Sequence, residues 1–445
     1  MSVRRFLKGL DRGLVKKHSW ILLPLAATQL LQRMEHVVDN RFISELGVTP
    51  LLIHSINFNF FLVAQAVGLA ASTSALIFWK REECAHKQKS ILDKHVRAAA
   101  FASLAIGIFC APFIPTIIRQ YGVPAAFMHP ASVYLGVGLI NMVLAAIYTP
   151  LNALLIASDQ RVKSLVNVAV LILIKIGAGT LALHLAIGAA NMTLPMLTIA
   201  VGGSIAITAL SITAWRHVSE RAQGERPFAF ADMHTVWGNE MGTAIIRSVS
   251  PFLYTYFLAK SLGGPSLLIT YQLTLHLAYI LVLPQLAGTQ LAIRDASAEQ
   301  SLPKESRTQG LLNTEWFRWF FAVSILPTQI LLGLGALFAP ILMKVLYRYS
   351  LPPEHVTFVA IYLGACAVGQ IGNIYLVVLR ALRRNAAATR NIFTAEICVM
   401  VVLTGIAVEL GHGTPVVLGL IVVAYCTSYL GLNYATVRIS AQEAA

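Results

Sequence analysis

Residues 164–188 read SLVNVAVLILIKIGAGTLALHLAIG, an apolar run with a single charged residue, Lys175. As a helix rising ~1.5 Å per residue, a run of this length crosses the ~30 Å hydrocarbon core of a bilayer. Apolar runs long enough to do the same recur along the chain, at 18–44, 51–79, 96–118, 128–157, 194–216, 238–261, 266–293, 315–346, 355–382, 392–410 and 414–436. With the first, they make twelve predicted spans. The whole composition agrees: of 445 residues 57% are hydrophobic and 12% charged, and the mean hydropathy is +0.69. That balance excludes a water-soluble globule. The expected fold is therefore an all-α membrane protein of twelve transmembrane helices.

The formal net charge of +14 would suggest nucleic acid in a soluble protein. Here the distribution of Lys and Arg argues for a membrane instead. Counted with the adjoining span ends, the N-terminal segment, the tail and the connections after even-numbered spans hold 26 of the 34 basic residues, whereas the odd-numbered connections hold Arg119, Lys260, Lys344 and Arg348. Positive residues stay on the cytoplasmic side, so both termini are expected to be cytoplasmic. Residues 1–17 are basic and amphipathic without a small-residue cleavage site, and read as a lead-in rather than a removable signal. The five cysteines, Cys84, Cys110, Cys366, Cys398 and Cys426, have no metal-ligand or disulfide spacing and read as packing residues. No cofactor or metal is expected, and no nucleic acid.

Shifting the chain by 216 residues lays Leu46-Gly47 on Leu262-Gly263 and Ala71-Ser72-Thr73 on Ala287-Gly288-Thr289. With the six-plus-six span count this suggests a duplication: a basic N-terminus at 1–17, lobes at 18–216 and 238–437, a polar cytoplasmic linker at 217–237, and a tail at 438–445. Two six-helix bundles in parallel orientation can rock about a central cavity, the geometry of alternating access.

Pro24-Leu-Ala-Ala-Thr-Gln29, Val38-Asp39, Glu45-Leu46-Gly47, and later Tyr271-Gln272, Pro284 and Ile293-Arg294 resemble the multidrug and toxic compound extrusion (MATE) family. Over shorter stretches, Arg247-Ser-Val-Ser-Pro251, Leu262-Gly263-Gly264-Pro-Ser266, Glu35 and Asn40-Arg41 look like the progressive ankylosis family of the same superfamily. The first resemblance implies proton- or sodium-coupled export of cationic drugs. The second implies export of anions such as citrate, nucleotides or pyrophosphate. In the MATE family the fifth span is expected to carry an Asn and an Asp that join the Asp of the first span in a cation site. This chain has Lys175 and Gly179 there, a departure that puts sodium coupling in doubt.

Ionisable residues inside a bilayer are costly and mark a pathway or ion site by default. Glu35 and Asp39 lie one helical turn apart on one face, with His36 beside them. Either one of the two carboxyls carries a transported proton, or both are neutralised by a nearby Arg or Lys. Lys175 is either their structural partner or an anion ligand. Arg33, Lys175 and Arg247 favour an anionic substrate, because guanidinium forks and ammonium groups match anions, while Arg41 reads as a snorkelling side chain. Tyr271, Gln272, Gln370 and Asn373 are polar residues in apolar spans and candidate cavity ligands, each equally an interhelical hydrogen bond. The leading expectation is thus an alternating-access exporter of small organic or phosphate-bearing anions. Arg33, Lys175, Arg247, Tyr271, Gln272, Gln370 and Asn373 would bind substrate, and Glu35 and Asp39 would serve proton or ion coupling. The alternative is a proton- or sodium-coupled multidrug cation antiporter using Asp39. A membrane enzyme is not expected: His36 and Asp39 form the one close His/Asp pair, with no nucleophile or phosphate loop around them. The expected setting is the lipid of a cell inner membrane, with the protein a monomer.

Overall fold

The computed structural model describes residues 12–79, 86–158, 160–187, 189, 192–222, 224, 226–228, 230–286, 288, 321–381 and 384–442. The basic residues 1–11, Ile293-Arg294 and most of the connection after the eighth predicted span lie outside them. Among the described residues the regular structure is helical and there is no strand. This is the expected answer of an apolar chain to a solvent that cannot hydrogen-bond its backbone.

The helices are α1 (Arg12–Leu46), α2 (Val48–Trp79), α3 (Gln88–Cys110), the short α4 (Ile114–Gln120), α5 (Met128–Ala157), α6 (Arg161–Ala186) and α7 (Thr193–Arg221). They continue as α8 (Phe230–Lys260), α9 (Gly264–Leu281), α10 (Leu326–Leu337), α11 (Ala339–Tyr347), α12 (Pro353–Ala381), α13 (Asn385–Phe393), α14 (Val402–Glu409) and α15 (Pro415–Gln442). A π-helical stretch, Thr394–Val401, joins α13 to α14. α1 stops where Gly47 takes φ +124°, and α9 opens at Gly264 with φ +53°, conformations that glycine adopts without a Cβ penalty. The Leu46-Gly47 and Leu262-Gly263 pairs that the 216-residue shift aligns fall at these two breaks.

Among the described residues, seven helical stretches are long and apolar enough to cross a membrane: Gln88–Gln120, Ala125–Leu155, Val162–Ala186, Thr193–Arg221, Pro353–Leu376, Ala386–Glu409 and Pro415–Ser440. The count rises to eight if Val323–Leu337 and Ala339–Tyr347, bent by 88°, form one broken span. The expected count of twelve is therefore not reached by length and composition among the described residues. α1 illustrates why: it bears Arg33, Glu35, Asp39 and Arg41, and this charge lowers its hydropathy. Large apolar side chains point outward from these helices, among them Phe101 and Phe109 at 70% exposure and Leu173 at 67%. In water such a surface would aggregate; against lipid it is the matching solvent.

By contacts the chain forms two compact units. The first, Met34–Gln272 with Val345–Tyr349, holds the C-terminal part of α1 from Met34 on, helices α2 to α8 and the start of α9. Within it α2 packs along α5 and α8, and α7 along α5 and α6. Glycines let these helices approach: a Cβ on Gly68 would meet Thr149 at 2.7 Å, and one on Gly202 would meet Ala178 at 2.4 Å. Several hydroxyls bond back to their own helices, as in Ser55 to the Leu51 carbonyl and Thr149 to the Ala145 carbonyl. The second unit consists of the described parts of Met1–Arg33, Leu273–Lys344 and Ser350–Ala445, and its longest contact is that of α12 along α15.

Candidate functional site

The centre of the first unit is an ion cluster. Lys175 Nζ of α6 lies 2.5 Å from Asp39 Oδ2 and 2.6 Å from Glu35 Oε1, both on α1. All three residues are 8% exposed. The one-turn spacing of Glu35 and Asp39 turns both carboxylates to α6, and Gly179, one turn beyond Lys175, clears room for Phe42 of α1. A Cβ on Gly179 would stand 2.4 Å from the Phe42 ring, so the absence of a side chain there lets the two helices come close enough for the ion pairs.

Around the cluster lie further buried polar groups. His36 packs edge-on to Phe58, with ring centroids 5.5 Å apart, and its ring nitrogen and the Glu35 and Asp39 oxygens lie within 4.8 Å of one another. Asn40 Nδ2 donates to the His36 carbonyl at 2.7 Å. On α7, Gly203 faces the Lys175 stem and Asn141, and Asn141 accepts from Ser204 Oγ at 2.6 Å. His54 Nδ1 and the Tyr134 hydroxyl share a buried hydrogen bond of 2.7 Å. Neither His54 nor Tyr134 was singled out from the sequence, although a histidine inside the apolar stretch of α2 was itself a signal.

The donor set of Glu35, His36 and Asp39 is of a kind that can bind a cation, but the position between the two carboxylates is taken by the Lys175 ammonium. One ammonium facing two ionised carboxylates leaves a formal charge of −1. Chemically, such a cluster can take up one proton on a carboxyl and become neutral while Lys175 stays charged.

The other sequence-predicted residues have different surroundings. Gln272 Nε2 donates to Asn59 Oδ1 at 3.2 Å, and Asn59 Nδ2 donates to Thr255 Oγ1 at 3.0 Å, in a network completed by Tyr121. Tyr271 is buried against Tyr254, centroids 5.0 Å apart. Arg247 of α8 is half-buried. In the second unit, the Arg33 guanidinium lies 4.6 Å from the centre of the Tyr279 ring, a cation–π contact. In the same unit Asn373 Nδ2 donates to Gln370 Oε1 at 3.0 Å and accepts from Tyr429 at 2.8 Å.

Seven helical stretches of spanning length with outward apolar faces among the described residues define a membrane protein, and the charge cluster lies buried in its first unit. Comparison with known proteins specifies the class. Residues 24–181 match the MatE family model. A transporter of the MOP superfamily from Pyrococcus furiosus, whose reversed binding-pocket polarity suggests a different function for that protein, superposes with a TM-score of 0.73 at 12% identity, covering 99% of this chain and 98% of that one. A mutant of the Vibrio cholerae MATE transporter VcmN gives 0.72 at 13% identity over 97% of each chain. An outward-facing multidrug resistance transporter of the MATE family gives 0.73 at 13%, covering 99% and 98%. No curated protein matches by sequence. The chain is MATE-like: it carries the MatE signature in its first part and the fold of MATE and MOP superfamily transporters over its length.

Proposed function

We propose that the chain is a secondary transporter working by alternating access, a proton-coupled antiporter of the MATE type that exports organic cations. The observation that carries this is the pairing of Lys175 with both Glu35 and Asp39. It leaves this unit's buried cluster with more acid than base, which suits a proton or cation rather than an anion. Lys175 stands where a metal ion would, which favours the proton over sodium. A proton arriving on either carboxyl removes one partner of Lys175 and loosens α1 from α6, which links protonation to a change of helix register.

With Lys175 engaged by two acids, its role as an anion ligand loses support. The anion-export reading, for substrates of the citrate, nucleotide or pyrophosphate class, rests instead on Arg33 and Arg247 and on the progressive ankylosis resemblance. The Pyrococcus protein, similar in fold, has a binding pocket of reversed polarity that suggests a different function for that protein. On the favoured reading Tyr271, Gln272, Gln370 and Asn373 remain candidate ligands for substrate.

The same proposal includes twelve spans in two six-helix bundles, 18–216 and 238–437, around a central cavity, with 217–237 as linker. It places the chain as a monomer in an inner membrane with cytoplasmic termini. The support is the one-sided distribution of Lys and Arg. No catalytic step and no cofactor is proposed.

The test is uptake of a lipophilic cation into proteoliposomes under an imposed pH gradient. Asp39→Asn should abolish it and Arg247→Ala should leave it. Movement of labelled citrate or ATP instead, lost in Arg247→Ala, would overturn the cation reading in favour of the anion exporter. Movement driven by a sodium gradient alone would overturn proton coupling.

A further inference from the structure

Three of the buried polar atoms that lack a hydrogen-bond partner among the described residues share one helix interface of the first unit: Gln160 Oε1, Asn167 Nδ2 and Ser211 Oγ. Their residues are buried. Such atoms are costly unless a ligand or an ordered water satisfies them. The three are a mixed set: an amide oxygen that accepts, an amide nitrogen that donates and a hydroxyl that does both. A cation would need acceptors and an anion donors, whereas water is both and fits the set.

The interface is that of α6 with α7. Gln160, just before α6, donates from Nε2 to the His217 carbonyl of α7 at 3.1 Å, and further along Leu171 shares an apolar cluster with Ala206, Ile207 and Leu210. The two helices are therefore antiparallel. Asn167 lies one turn from Leu171 toward Gln160, and Ser211 one turn from Ile207 toward His217, so both fall between those contacts. On α6 the positions Gln160, Ser164, Asn167, Leu171 and Lys175 follow one another in steps of three or four, which puts the unpartnered atoms on the face that carries the ammonium of the ion cluster. Leu171 interrupts the polarity of that face, and α5 supplies a way round. Ser164 Oγ donates to Asn152 Oδ1 at 2.6 Å, and the Tyr148 hydroxyl donates to the same oxygen at 3.5 Å. Tyr148 packs against the Leu171 cluster and is within electrostatic range of Glu35. At the far end the exposed Lys163 donates from Nζ to His217 Nδ1 at 3.1 Å, and that nitrogen lies 3.6 Å from the exposed Glu220 carboxylate.

We propose that Gln160, Asn167, Ser211, Ser164, Asn152 and Tyr148 line a file of bound waters inside the first unit, which joins the Glu35–Lys175–Asp39 cluster to the end where α6 begins and α7 finishes. Its use rests on the proton-coupled reading above: the file is the route by which a carboxyl of the cluster exchanges its proton with the cytoplasm, the side to which the Lys and Arg distribution assigns this end. Helix rise alone puts Gln160 roughly 22 Å from Lys175, too far for a proton to move without carriers. Along the file each water takes up one proton and gives up another, so one O–H bond breaks for each that forms and a single proton is moved. If these residues served only to pack the interface, apolar side chains would do as well, as Leu171 does one turn further on. The route runs through α5, α6 and α7 alone, so it requires nothing of the second unit.

The test is radiolytic hydroxyl labelling of the protein in lipid nanodiscs, which oxidises side chains that lie beside bound water. Tyr148 should be labelled in wild type. Asn167→Leu, which replaces the amide by an apolar side chain of similar shape, should abolish that labelling and leave His217 at the rim labelled as before. Tyr148 unlabelled in wild type, or labelled equally in both proteins, overturns the proposal. Should Asn167→Leu fail to fold, Ser211→Val carries the same expectation and the same overturning result. Proton passage is read separately, by infrared spectroscopy after a pH jump. The protonated-carboxyl band that Asp39→Asn or Glu35→Gln removes should reach its full amplitude in Asn167→Leu, but several-fold more slowly than in wild type. An unchanged rate overturns the route. A wild type in which that band never appears sinks the proton-coupled reading and leaves the labelled water file standing.

Discussion

Gly179 lies directly against Phe42: a methyl built on the glycine would stand 2.4 Å from the phenyl ring. The two residues are each about one turn from the ion pair that α1 and α6 share, Phe42 after Asp39 and Gly179 after Lys175. The contact therefore sets the distance across which Lys175 reaches its carboxylates. Gly179→Ala should force the helices apart. Overpacking of this kind costs about 1–3 kcal/mol, and the expected result is a lower melting temperature in detergent together with a transport defect out of proportion to it. A variant that melts as wild type and transports normally would show that the register is not set here.

Removing the ammonium from the cluster leaves two carboxylates facing each other. Lys175→Ala should destabilise the protein by about 3–5 kcal/mol, the usual cost of orphaning a buried charge. In this variant added sodium should raise the melting temperature, since Glu35, His36 and Asp39 then hold an empty cation position. Wild type should not respond. Sodium stabilising both proteins equally would contradict the assignment of Lys175 as the internal cation.

The His54–Tyr134 hydrogen bond is fully enclosed. Tyr134→Phe keeps the ring and strands a ring nitrogen, at a cost of about 1–3 kcal/mol. His54→Leu in the same chain should recover part of that loss. A double-mutant cycle on melting free energies measures the coupling, and additive effects would mean the bond contributes nothing.

Phe228, in the expected linker, is 1% exposed and fills a core with Phe78, Trp79, Ile91 and Leu92. Its carbonyl accepts from Lys94 Nζ, its N–H donates to Ser90 Oγ at 3.0 Å, and the Arg226 N–H donates to the His86 carbonyl at 3.0 Å. Gly224, at φ +69°, runs so close to the His86 backbone that a Cβ would meet its carbonyl oxygen at 2.3 Å. This stretch of chain is thus strapped to the start of α3. Phe228→Ala should cost about 3–5 kcal/mol, as for other large core truncations, and speed protease nicking after Arg221 or Arg226. Unchanged nicking would mean that the strap is held by its backbone bonds alone.

The helical membrane character was legible in the residues because it depends on local quantities. An apolar run such as 164–188 states its own length and its own preferred solvent, and the one-turn spacing of Glu35 and Asp39 states that they share a face. Gly47 and the Leu-Gly at 262–263 likewise mark helix breaks through backbone freedom alone. The span count was less secure: residues 18–44 read as an apolar run, yet the Arg33, Glu35, Asp39 and Arg41 that α1 carries lower its hydropathy, and it is not among the helices apolar enough to cross a membrane.

What Lys175 faces could not be read from the sequence. Its two open roles, structural partner and anion ligand, differ only in what stands beside the ammonium, and that is decided by Asp39 and Glu35, 136 and 140 positions earlier in the chain. The small volume of Gly179 and the bulk of Phe42 bring them together, and a sequence lists such residues without saying that they touch.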